Sequence, residues 1–166
     1  MAYVLKKNIF YLLLLTMLSS LIMGCTDDGT EKSLINNPAI EDVRNAISSI
    51  DHISLIEIVT EENDPNGNLG KDGSYTGALF FLYDLVEGNT ETSALEAGTD
   101  GGGSIEVYAN AEDAKKRNDY LSAFDGTIFA SGSHVALGTL VIRTSNELTA
   151  SQQDTLEAAI INALNN

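Results

Sequence analysis

The run Asp64-Pro65-Asn66-Gly67-Asn68-Leu69-Gly70-Lys71-Asp72 sets oxygen-bearing side chains at a spacing that chemistry could use. Asp64, Asn66 and Asn68 alternate along the chain and Asp72 follows, so a tight loop could turn all four toward one point. Side-chain oxygens converging in that way are what Ca²⁺ binds. Against the EF-hand loop the run departs in two places. Leu69 stands where that loop requires glycine, and Tyr75 where it places a bidentate glutamate. A Gly/Asn/Pro turn closed by Asx hydrogen bonds accounts for the same residues without a metal, and the composition favours that account.

A second group is defined by charge out of place. Arg117 and Arg143 each fall among apolar neighbours on their own element. Two accounts are open: a structural ion pair with a nearby carboxylate, which is favoured, or a small pocket for an anionic or polar ligand. The pocket would be built from Tyr75, Tyr108, Arg117, His134 and Arg143.

Nucleophilic catalysis needs a nucleophile, a base within reach and a group that orients the base. Only His52 and His134 could be imidazole bases, and no Gly-x-Ser-x-Gly elbow occurs. Ser133 adjoins His134, but neighbours on a strand point to opposite faces. The two histidines, 82 positions apart, make no zinc motif. Thr99-Asp100-Gly101-Gly102-Gly103 reads as a flexible turn rather than a phosphate loop, since it carries no lysine and feeds a strand. The residues therefore favour a non-catalytic binding or interaction module. The alternative is a small extracytoplasmic hydrolase using scattered carboxylates or His134.

Positioning these groups falls to an α-β-β-β-α-β-α series. Asn37-Pro38 opens a helix carrying Ile40, Val43, Ile47 and Ile50 on one stripe. Ile53 to Thr60 and Tyr75 to Leu85 read as strands. Both faces of the second are apolar (Leu79-Phe81-Tyr83 and Ala78-Phe80-Leu82), which predicts a central strand covered on both sides. A polar loop from Val86 to Gly103 leads to a strand at Ser104 to Ala109. Asn110 caps a helix facing inward through Ala114, Arg117, Leu121 and Phe124. Thr127 to Ala130 could form a short strand, and His134 to Arg143 reads as the fourth main one. Thr149 and Gln152 then form a capping box for a last helix bearing Leu156, Ile160 and Leu164. The expected fold is α+β: a mixed or mostly antiparallel sheet of about four strands with three helices packed on it. A strand-helix-strand passage around Asn110 implies one right-handed crossover.

Charge bounds the partners. Nine basic residues face 24 acidic ones, for a net charge of −15. Binding nucleic acid requires lysines and arginines to neutralise phosphates, so the composition argues against a nucleic-acid partner. Cations and basic peptides are what such a field attracts. A protein or small-ligand partner is not specified by charge alone.

The first residues carry an address. Lys6-Lys7, an apolar stretch from Ile9 to Met23, and Gly24 before Cys25 form the three parts of a secretory signal. The stretch is short for a bilayer span, which takes about 20 residues. Leu21-Ile22-Met23-Gly24-Cys25 resembles the lipobox of bacterial lipoprotein precursors, read by prolipoprotein diacylglyceryl transferase and signal peptidase II. Met23 is an unusual residue for the middle of that motif. The resemblance implies cleavage before Cys25 and diacylglycerol on its sulfur, with palmitate among the acyl chains. It also implies an extracytoplasmic protein anchored to the bacterial cell membrane. Residues 1–24 would be the signal peptide, 25–37 the lipidated cysteine with a flexible tether, and 38–166 a single acidic domain. Loss of Lys6 and Lys7 takes the net charge from −15 to −17. No other cofactor is expected beyond the possible Ca²⁺. From about Val59 onward, Asp64-Pro65-Asn66, Leu69-Gly70, Gly103-Ser104-Ile105-Glu106-Val107-Tyr108, Asp113-Ala114, Arg117 and Val141-Ile142-Arg143 form a recurring pattern. It resembles that of uncharacterised secreted lipoproteins of Gram-positive bacteria, which implies one domain and assigns no activity.

Overall fold

A computed structural model describes residues 34–88, 90, 92–127, 130 and 132–166. Cys25, the leader and residues 25–33 lie outside the described residues. Helix α1 (Ile40–Ile47) buries Val43 and Ile47, as the spacing of its apolar residues requires. Strands β1 (Ile53–Ile58) and β2 (Tyr75–Tyr83) form an antiparallel pair. Helix α2 (Ala94–Ala97), a 3-10 turn, β3 (Gly102–Tyr108) and helix α3 (Ala111–Ser122) follow. Strands β4 (His134–Leu137) and β5 (Leu140–Thr144) precede helix α4 (Ala150–Asn165).

The fold is α+β, with a five-stranded sheet in the order β1-β2-β3-β5-β4, every neighbouring pair antiparallel. Since β5 opposes both β3 and β4, those two run parallel with β5 between them. The crossover through α3 therefore skips one strand, and the space it leaves is filled by the hairpin returning from β4.

In place of the one strand expected over His134 to Arg143 stands this hairpin. Leu137 pairs with Leu140 across a two-residue turn, Gly138-Thr139. Gly138 has φ 58° and Thr139 lies on the ordinary side of φ, the glycine-first pattern of a II′ turn. The Gly138 hydrogen faces the carbonyl of Ile35, where a Cβ would overlap it. Segment 34–37 is accordingly docked on the domain. Leu34 N–H donates to Leu164 O (2.8 Å) and Thr139 N–H to Ile35 O (2.9 Å). Asn37, expected to cap α1, instead has φ 44° and donates its N–H to Thr139 Oγ1; Ala39 occupies the cap position.

Residues 92–103 are more ordered than a polar loop. Ser93 Oγ accepts from Glu96 N–H to start α2, and Glu57 on β1 accepts from Ser93 Oγ (2.8 Å) and Leu95 N–H (3.0 Å). Gly102 and Gly103 belong to β3 rather than to a flexible turn. A side chain on Gly103 would overlap the Phe81 ring and the Arg143 carbonyl, so its absence lets that ring lie flush against the strand. Thr127 and Ala130 make turn bonds to Phe124 and Thr127 carbonyls instead of a strand ladder, and residues 128 and 129 between them lie outside the described residues.

Helices cover both sides of β2, as its two apolar faces predict. On one side Leu79, Phe81, Ile105 and Ile142 pack with Val43, Ile47, Leu156, Ile160 and Leu164 from α1 and α4. On the other, Ala78, Phe80, Leu82 and Val141 pack with Ala94 of α2 and Ala114 and Leu121 of α3. The capping box at Thr149 and Gln152 is formed, which fixes where α4 begins. Among the described residues no helix is long and apolar enough to cross a membrane.

Candidate functional site

Asp64 organises its loop from within. Its Oδ1 accepts from Asn66 N–H (2.9 Å) and Tyr75 Oη–H (2.5 Å); its Oδ2 accepts from Asn68 N–H (2.6 Å) and Leu69 N–H (2.7 Å). Burial alone would raise the carboxyl's pKa. The Tyr75 hydroxyl and the three backbone donors outweigh it and hold Asp64 down at about 2. Burial and the same hydrogen bond push Tyr75 up to about 12, so it stays a donor. Both Asp64 oxygens are thus spent on closing the loop, and a cation at this point would have to displace those donors. Asp72 is exposed. Among the described residues no three His, Cys, Asp or Glu side chains are grouped to hold a metal ion.

Behind the loop lies the residue that sequence reasoning passed over. Glu106 alternates with apolar neighbours on β3, which reads as a solvent-facing position. But β3 sits third of five strands and α3 lies across that face, so the Glu106 side chain is only 5% exposed. Its charge is met by Arg117 in a two-pronged pair, Nε to Oε2 at 2.9 Å and Nη2 to Oε1 at 3.0 Å. Tyr108 Oη–H donates to Oε2 at 2.7 Å. Arg143 approaches from β5 with Nη1 3.9 Å from Oε1, too far for a hydrogen bond, and its buried Nε has no partner. Burial lowers the Arg143 pKa, with Glu106 opposing. For Arg117, burial also works downward, but its bonds to Glu106 prevail and the pKa rises. The Arg117 ion pair favoured from sequence is therefore present, and two guanidiniums converge on one carboxylate. An apolar-polar alternation on a strand with both faces covered was the signal that could have found Glu106.

A cavity of about 260 Å³ opens between the Asp64 loop and α3. Tyr75 and Tyr108 line it from the sheet, and Asn66, Asn68 and Ser74 from the loop. Helix α3 contributes Asp113, Lys116 and Arg117. The structure thereby joins parts of both groups singled out from sequence, the loop amides and the Tyr75-Tyr108-Arg117 set. Local folding explains the meeting: Tyr75 pairs with Tyr108 across β2 and β3, and Asn110, which accepts from Asp113 N–H, starts α3 over them.

His134 and Arg143 pair across β4 and β5, so they share the α3 face of the sheet, but neither lines this cavity. His134 is held away from it, Nδ1 2.9 Å from Asn118 Oδ1 and Nε2 3.1 Å from Asp125 Oδ1. The Ser133 hydroxyl donates to Glu157 at 2.6 Å, so Ser133 is not paired with the imidazole.

Comparisons with protein-family models, curated proteins and solved structures find no match for this chain.

Proposed function

We propose that the chain is a lipid-anchored bacterial surface protein whose folded domain is a non-catalytic binding module. Its ligand site is the cavity between the Asp64 loop and α3. The observation that carries the reading is the convergence there of pre-positioned polar groups. Amides, a hydroxyl and cationic side chains surround a concave space of about 260 Å³, and the Asp64 loop is locked by its own hydrogen bonds before any ligand arrives. The titratable groups nearest to it are engaged with one another. Glu106 is neutralised by Arg117, which suits rigid recognition better than proton transfer.

The test is a ligand screen spanning anionic, cationic and neutral small molecules, read by amide shifts of residues 66–75 on the full-length protein. Saturable binding without turnover supports the reading; hydrolysis of any bound compound overturns it. The anchor has its own test. Cys25→Ala is expected to abolish lipidation and leave uncleaved precursor in the membrane fraction by intact mass. A native N-terminus at another residue, without acyl mass, overturns the anchor.

A further inference from the structure

We propose that this cavity takes a small organic oxyanion, a carboxylate or a phosphate, seated on Arg117 and Lys116; the inference rests on the cavity being the ligand site.

Three observations converge on it. First, the sparse basic residues of the chain gather here. Only seven lysines and arginines follow Cys25, and three of them are consecutive, Lys115-Lys116-Arg117. Two of those three line the cavity, against one carboxylate, Asp113. Lys116 Nζ lies 3.0 Å from Glu112 and 3.3 Å from Asp113, and Asn110 Nδ2 also holds Asp113 at 2.8 Å, so Lys116 meets an anion as an exposed, partly screened charge.

Second, Arg117 has donors to spare. Its bonds to Glu106 use Nε and Nη2, and a guanidinium offers five N–H donors in a planar fork. Nη1 makes no hydrogen bond among the described residues. The side chain is 26% exposed while Glu106 behind it is 5% exposed, so solvent reaches the arginine and not the glutamate.

Third, the cluster behind the cavity sets two guanidiniums on one carboxylate. Arg117 and Arg143 share Glu106, Arg143 stands off at 3.9 Å, and its Nε is buried without a partner. Uncompensated cations inside a fold are costly, and an anion can reach this cluster through Arg117, the one of the two arginines that lines the cavity. Arg117 faces both ways, fixing Glu106 with one edge and presenting the other. Asn66, Asn68 and Ser74 add neutral polar groups around the oxyanion. The general field of the acidic chain repels anions, so binding has to depend on these local donors.

The experiment titrates the ¹⁵N-labelled full-length protein in uncharged detergent at matched ionic strength. Four probes are used: acetate, inorganic phosphate, tetramethylammonium and glucose. Saturable shifts at residues 66–75 and at the Arg117 side-chain N–H are expected with acetate or phosphate alone, and the stronger of the two names the oxyanion. Lys116→Gln alters an exposed side chain and leaves the fold intact; it should weaken binding roughly three- to tenfold, the size of one partly screened charge. Glu106→Gln, if it folds, frees the second edge of Arg117 and should tighten binding. Shifts produced only by glucose or tetramethylammonium overturn the oxyanion while leaving the cavity as a site. Anion shifts spread over the whole surface and unchanged by Lys116→Gln also overturn it. No response to any probe overturns both the oxyanion and the binding site.

Discussion

Under α1 and α4 the sheet presents Leu79, Phe81, Ile105 and Ile142. Under α2 and α3 the same three strands present Phe80, Ser104, Glu106, Val141 and Arg143, an apolar surface broken by a polar band. Both faces are closed, but by different means. The first relies on close packing, to the point that Gly103 gives up a side chain so that Phe81 can lie on the strand. The second leaves charged groups inside and satisfies most of them with one another. Burying a paired carboxylate and guanidinium is at best weakly stabilising compared with apolar groups of the same volume. A fold that needed only stability had a cheaper solution a few ångströms away. The contrast therefore separates the face that holds the domain together from the face where we propose that a ligand binds.

The comparison can be broken first on the dry face. Phe81 is fully buried among the side chains of that cluster. Phe81→Ala is expected to cost about 3–5 kcal/mol, measured by denaturant titration, with no change in which small anions bind. A loss below about 1 kcal/mol would mean that this face is not the main source of stability.

The polar face should respond differently to single and combined changes. Glu106→Gln takes the shared counter-charge from the half-buried Arg117 and Arg143 and is expected to cost up to about 3 kcal/mol. Replacing the set together, Glu106→Leu with Arg117→Met and Arg143→Met, should recover most of that loss, because no buried charge is left uncompensated. Anion binding should vanish in the triple variant although it folds. If the triple variant is less stable than Glu106→Gln alone, the cluster contributes to stability in its own right and the contrast between the faces fails.

How much of this was legible follows from the same division. The dry face was readable because its rules are local: the helical spacing of Val43 and Ile47, the double apolar pattern of β2 and the Thr149-Gln152 box each speak for themselves. Glu106 was not, since its burial depends on β5 arriving beside β3 from thirty-odd residues away, and a strand's neighbours are not written in its own pattern. The split of residues 134–144 into two strands was present in the sequence as Gly138-Thr139 between apolar runs, a turn signal obscured by the continuous apolar pattern around it. Asn37 as a cap failed because its N–H is claimed by Thr139, a partner 102 positions along. Of the polar cluster beside the cavity, the two arginines stood out as charges in apolar company, while their shared carboxylate did not.

The smallest expected effect lies at the rim of the polar face, in the Asp64 loop. Asp64→Asn keeps the shape but removes the charge that accepts four hydrogen bonds. A loss of about 1–2 kcal/mol is expected, toward the low end for bonds to a charged group because Asn66 and Asn68 are exposed. Its pH dependence has a definite sign. The folded carboxyl titrates near 2, below its ordinary 3.8, so its contribution is complete above about pH 4 and fades as pH falls toward 2. The gap in melting temperature between native protein and Asp64→Asn should therefore be constant at neutral pH and close on acidification. Glu57 is also held low by the Leu95 and Ser93 bonds, but it is common to both proteins and cancels in the difference. The same pair of proteins decides the loop's relation to calcium. With Asp64 already saturated by internal donors, calcium and magnesium at matched ionic strength should raise the melting temperature equally, by screening the acidic chain. A calcium-specific rise that Asp64→Asn loses would show that the loop opens to bind the ion, and would move the proposed ligand site from the arginine side of the cavity to the carboxylate side.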